Sequence, residues 1–144
     1  MNEKSSPSPI HYDKLTILFH WSCAVLIIVQ FATANVWGLF QNPLHHQLVV
    51  THLTAGIVLS LLFPIRLIWR LGWGQHIHAA GHRLATMLAH SVEYSLYGLV
   101  LIEILLGYLW RWGNGQPMSF LSSQIEPPFA KFSALTISWL HDLH

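Results

Sequence analysis

Residues 15–65 read LTILFHWSCAVLIIVQFATANVWGLFQNPLHHQLVVTHLTAGIVLSLLFPI, 51 consecutive positions between Lys14 and Arg66 without one Asp, Glu, Lys or Arg. A helix crossing the hydrocarbon core of a bilayer needs about 20 apolar residues, so this stretch holds two crossings and a turn. Gln41-Asn42-Pro43 is its one strong break, which places the first span at about 15–38 and the second at about 47–71. A third runs from about 84 to 110, and residues 113–138, with Gly113, Gly115, Pro117, Pro127 and Pro128, read as an external loop with short helical pieces. Thr136 to His144 reads as the start of another helix. The expected fold is an all-α integral membrane helical bundle, a single domain with three transmembrane helices and the start of a fourth.

Composition agrees with the spans. Of 144 residues, 53% are hydrophobic and 9% charged, against about a quarter charged in an ordinary soluble domain. Seven basic and six acidic residues, with no basic run, exclude a nucleic-acid binder. The single Cys23 excludes an internal disulfide framework and any Cys-rich metal site. Trp21 and Trp37, Trp69 and Trp73, and Trp110 and Trp112 stand near the span ends, where indole rings anchor at the headgroups. Lys4 and Lys14 precede the first span and Arg66, Arg70 and Arg83 surround the second connection, so the N-terminus is expected on the cytoplasmic side of the inner (plasma) membrane. A rival reading takes 1–34 as a cleaved signal peptide ending at Ala32-Thr33-Ala34. The apolar run is longer than such peptides use and contains His20 and Trp21, which suits a retained helix.

Histidine is the surplus residue, with 11 copies. An imidazole inside an apolar helix is costly and marks a functional site by default, and neutral histidine is a usual axial ligand of haem iron. His20 lies six residues after Lys14, about 9 Å into the first helix, and His52 a similar distance into the second. The second helix enters from the opposite side, so the two sit at opposite depths and cannot share one ion. Cys23 and Ala24 follow His20 at i+3 and i+4, and Gly56 follows His52 at i+4. Small residues on those faces would let a flat macrocycle approach the backbone, or would serve close helix packing. Two such pairs on adjacent helices favour the cofactor.

The other histidines have lesser roles in this reading. His90, followed by Glu93 and Tyr94, suits a hydrogen-bonding or structural position. His141 and His144 share one helical face at the depth of His52, and either could complete an axial pair with it. His45, His46, His76, His78 and His82 fall in connections, the last three able to bind adventitious metal. Arg66 and Arg70 close the second helix where haem propionates or anionic headgroups need cations, although snorkelling and topology account for them equally well. Pro64 is expected to kink that helix near Ser60. Glu93 and Glu103, about 15 Å apart on one helix, cannot act as a carboxylate pair.

Several segments together resemble the bacterial cytochrome b561 family. Tyr12-Asp-Lys-Leu-Thr-Ile-Leu-Phe-His20-Trp21 resembles its opening helix, and His52-Leu-Thr-Ala-Gly56 with Arg66 and Trp69-Arg70 its second. Leu88-Ala-His90 with Tyr97 resembles the third helix, and Trp110-Arg111-Trp112-Gly-Asn-Gly-Gln-Pro-Met-Ser-Phe120 the external loop of one branch. The likeness covers about 12–144. It implies a four-helix membrane protein with two b-type haems, each clamped by two histidines, moving electrons between quinone and another carrier, with superoxide oxidised by some members. The positions matching the ligands are His20, His52 and either His141 or His144. The family's fourth ligand lies about four turns further along the last helix, beyond His144. Most of that helix is therefore expected to be missing, and the cytoplasmic haem to be the incomplete one.

The implied partners are the lipid bilayer and a quinone or other carrier, with an oligomer or a larger membrane complex left open. A cytochrome b subunit of a larger membrane dehydrogenase is the neighbouring alternative. A His-rich divalent-metal transporter or sensor is the alternative from another class, and it needs ligands converging at one depth, which His20 and His52 do not.

Overall fold

The computed structural model describes residues 14–72 and 83–144. His76, His78 and His82 lie outside the described residues. Helix α1 spans Lys14–Val36 and passes into a 3-10 turn at Trp37–Leu39; α2 spans Leu44–Gly72 and α3 Arg83–Gly113. A hairpin of β1 (Met118–Phe120) and β2 (Ser123–Ile125) leads to α4 (Ala134–Leu143). Among the described residues three helices are long and apolar enough to cross a membrane, Lys14–Leu39, Leu44–Gly72 and Arg83–Gly113, which agrees with the all-α membrane bundle read from the sequence.

The break at Gln41-Asn42-Pro43 holds, but α2 begins sooner than expected. The carbonyl of Pro43 already accepts from Gln47 N at 3.2 Å, since proline at a helix start lacks only an N–H that the first turn leaves idle. His45 and His46 consequently belong to the first turn of α2 and not to a connection. His45 Nδ1 lies 2.9 Å from the carbonyl of Trp37 and ties that turn to the end of α1. Helix α2 continues through Pro64. Membrane helices tolerate such a residue where neighbouring groups satisfy the backbone.

Antiparallel α1 and α2 form the best-packed pair. Cys23, Leu59 and Phe63 are buried between them, with Tyr97, Val100 and Ile104 of α3 against that cluster. At the other end Leu53, Ile57 and Met118 make a second cluster, covered by Tyr108, Trp112 and Phe120. The loop differs from the short helical pieces expected of it. Its two strands pair antiparallel, Met118 opposite Ile125 and Phe120 opposite Ser123, because Met118 is drawn into the second cluster. Thr54 fixes the turn: its Oγ1 accepts from Leu121 N at 3.1 Å, where Leu121 holds a φ of 54°, a region few side chains enter without such support. Helix α4 starts at a Ser133 cap, whose hydroxyl accepts from Thr136 N at 3.2 Å.

Ile28, Phe31, Leu61, Leu84 and Leu99 are exposed on the outer faces, as in helices whose solvent is lipid. Membranes carrying the protein should therefore retain it through a high-salt wash and release it only into detergent, checked by fractionation. Release by salt alone would contradict three spans.

Candidate functional site

The helices enclose a cavity of about 1730 Å³, larger than the roughly 300–1,000 Å³ of an ordinary ligand pocket. His20, His52, Arg66, Arg70, His141 and His144 all line it. Because α1 and α2 run antiparallel, His20 meets Arg66 and His52 meets Thr33, so the two histidines occupy opposite ends of the cavity. His52 and Arg66 are 14 positions apart on α2, about 21 Å along its axis.

His52 is held in a defined tautomer. Thr33 Oγ1 is buried and stands 2.7 Å from the carbonyl of Val29, a separation that two oxygens reach only with a hydrogen between them. The single hydroxyl hydrogen being so used, Thr33 Oγ1 accepts from His52 Nδ1 at 3.0 Å, which leaves the lone pair on Nε2. His144 at the end of α4 is arranged alike: its Nδ1 donates at 3.1 Å to the Glu103 carboxylate of α3. The two ring centres are 6.4 Å apart with planes at 77°. An imidazole nitrogen ligates a first-row metal at about 2 Å and lies about 1.1 Å from its ring centre, so two rings on opposite sides of one ion stand about 6.2 Å apart. The observed separation matches that figure.

Three further residues shape this pair. Gly107 on α3 admits the His144 ring, since a Cβ there would sit 3.0 Å from His144 Cε1. Trp37 meets His52 edge-on at 5.0 Å, and Trp110 stacks on His144 at 6.4 Å and 26°. His141 is turned elsewhere: its ring is 69% exposed, 3.5 Å from Asp142 and 5.7 Å from Trp110. Of the two histidines left open by the sequence, His144 is the one brought to His52.

Among the described residues no three His, Cys, Asp or Glu side chains gather where a metal ion could be held. Two neighbouring imidazoles, without a third protein ligand, suit an ion whose remaining positions a porphyrin fills better than a free divalent cation. The residues at the His52 end therefore fit a haem.

The His20 end is built differently. Arg66 Nη2 lies 3.1 Å from His20 Nδ1, and a guanidinium only donates, so here Nδ1 accepts and the proton of neutral His20 sits on Nε2. Among the described residues His20 makes its ring contact with Trp21, at 5.8 Å, and with no second histidine. Arg66 also lies over the Tyr97 ring at 5.2 Å, and Arg70 Nε donates to Glu93 Oε1 at 3.3 Å. At this end the fit to a bis-histidine haem is incomplete. Gly56 receives the side chain of Gln30, whose amide donates to the carbonyl of His52 at 3.1 Å; a Cβ at Gly56 would stand 2.8 Å from that amide nitrogen. The small residue thus serves α1–α2 packing directly beside the cavity it lines.

Sequence reasoning assigns Thr33, Glu103, Gly107 and Trp110 no part in the site. The signal available for Glu103 was its place as a carboxylate inside an apolar helix, which demands a partner.

A family model described as prokaryotic cytochrome b561 matches residues 11–144. The chain is 26% identical over 116 residues to cytochrome b561 homolog 2 of Escherichia coli (strain K12), an alignment covering 78% of this chain and 61% of that protein. It thus spans about three-fifths of the length of the curated relative it matches.

Proposed function

The chain belongs to the prokaryotic cytochrome b561 family, and from that premise we propose a membrane electron carrier that holds haem b between His52 and His144 and passes electrons between the quinone pool and a second carrier, superoxide among the candidates. The observation that carries this reading is the pair of imidazoles whose ring centres stand 6.4 Å apart, each with Nδ1 engaged by an oxygen acceptor. Bound there, haem supplies a one-electron ferric–ferrous couple.

The protein's own groups set the terms of that couple. His52 and His144 would hold the haem between them, and a haem held by two protein histidines would supply electron transfer and not substrate chemistry at the metal. Thr33 and Glu103 orient the two rings, and a carboxylate acceptor makes His144 the stronger donor, which favours the ferric form. In this reading the His20 end, with Lys14, Arg66, Arg70 and Arg83 nearby, faces the cytoplasm.

The test is the visible spectrum of the detergent-purified protein. A low-spin spectrum of bis-histidine haem b, reduced by a one-electron donor such as superoxide and reoxidised by an added quinone, is expected. Protein without haem, or haem with an open axial position, would defeat the proposal.

A further inference from the structure

At the His20 end a carboxylate stands inside a membrane helix, about 15 Å from the start of α3, at the centre of a network that plays no part in gripping His52. Glu93 Oε1 accepts from the Tyr97 hydroxyl at 2.9 Å and from Arg70 Nε at 3.3 Å. Glu93 Oε2 lies 3.7 Å from His90 Nδ1. Ionisable side chains at membrane depth are costly and mark the routes of protons and ions.

Two cavities meet at this network. The large one is lined here by His20, Arg66, Arg70, Glu93 and Tyr97. A second, of about 10 Å³, is lined by Arg70, Leu71, His90, Glu93, Tyr94 and Tyr97. That is room for about one water molecule, with more than the two polar partners such a molecule needs. Arg70, Glu93 and Tyr97 line both cavities and so form the wall between them. The side chain of His90 is 53% exposed and stands on the outer side of that wall.

We propose that Glu93, with His90 outside it and Tyr97 inside, delivers protons to a quinone reduced in the large cavity. The proposal rests on the electron-transfer function above. A quinone becomes a quinol by taking two electrons, one at a time from a one-electron donor such as superoxide by way of the haem the chain would hold, and two protons on its oxygens. For each proton, the Glu93 carboxylate is first protonated, the Tyr97 hydroxyl hydrogen turns from Glu93 Oε1 to a quinone oxygen and is transferred, and the Glu93 carboxyl gives Tyr97 a proton in its place. Glu93 is reprotonated by His90, which exchanges with water. Arg70 and Arg66 face the pair from α2, His90 and Tyr94 from α3, and His20 stands beyond Arg66 on α1. The Arg70 guanidinium holds the negative charge on Glu93 after its proton leaves, and Arg66 lies over the Tyr97 ring.

The experiment uses the full chain, loaded with haem, in lipid vesicles with a one-electron donor that reduces the haem and a short-chain benzoquinone as acceptor. Glu93→Gln should keep the haem spectrum and the rate of haem reduction, yet slow quinol formation about tenfold or more between about pH 6 and pH 8. Glu93→Asp should stay within about threefold of the wild type, and added formate, a small weak acid, should restore part of the loss in Glu93→Gln. Infrared difference spectra of reduction should show a carboxyl C=O band that shifts in deuterated water and vanishes in Glu93→Gln. Quinol formation in Glu93→Gln within about twofold of the wild type would overturn the relay alone. So would a loss that neither Glu93→Asp nor formate relieves, or the absence of the carboxyl band. A haem-loaded wild type that forms no quinol would overturn the function proposed above, and the relay with it.

Discussion

The His52→Leu protein should bind haem at least about a hundredfold more weakly than the wild type, because removing even an outer hydrogen-bond partner of a ligating imidazole costs 10–100-fold and this change removes the ligand. Leucine is at home in a membrane helix, and the groups around it stay satisfied. Thr33 keeps its bond to Val29, and the Gln30 amide bonds the backbone carbonyl of residue 52 whatever the side chain. The loss should thus fall on the cofactor and not on the fold. His20→Leu should leave that haem in place, since His20 sits at the far end of the cavity with its Nδ1 engaged by Arg66. The haem-to-protein ratio after gel filtration checks both. Retention in His52→Leu together with loss in His20→Leu would move the site to the other end.

A comparably large effect is expected from a residue that contacts no ligand atom. In Gly107→Val the new Cβ would stand 3.0 Å from His144 Cε1, and the branches of valine extend closer still. The ring must move, and a displacement of about 1 Å breaks its 3.1 Å bond to Glu103 and spoils its alignment with His52. Haem affinity should fall about tenfold or more. Gly98→Val is the matched control, because a Cβ at Gly98 meets nothing within 4 Å. Equal haem content in the two variants, measured by absorbance per mole of protein, would mean that the fit of Gly107 to His144 does not matter.

The spans were legible because the bilayer imposes one demand, a run of apolar residues of the right length, and residues 15–65 meet it twice. The placement of His20 and His52 at opposite ends followed from the same count, since consecutive spans run antiparallel. Partners across helices were not legible. Spacing along one helix reports which residues share a face, not which neighbour that face meets. Gly56 illustrates the gap: its smallness at i+4 from His52 was plain, but that the Gln30 side chain fills the space depends on how α1 lies on α2. Nor could the chain order show that Glu103 reaches His144 while Glu93 reaches Arg70, although their ten-residue spacing does assign them to opposite ends of α3. The hairpin escaped because three-residue strands carry too little alternation to stand out against a loop rich in glycine and proline.

The 77° between the His52 and His144 planes matters for magnetism. Each imidazole offers its π electrons perpendicular to its own ring, so crossed rings raise two different d orbitals of an iron between them, and raise them nearly equally. An unpaired electron in that near-degenerate set keeps much of its orbital angular momentum, and its resonance is strongly anisotropic, whereas parallel rings would split the set and quench it. Since one ring is anchored by α1 through Thr33 and the other by α3 through Glu103, the crossing angle is fixed by how the helices pack. The paramagnetism of ferric iron at that position would therefore report the packing of the bundle.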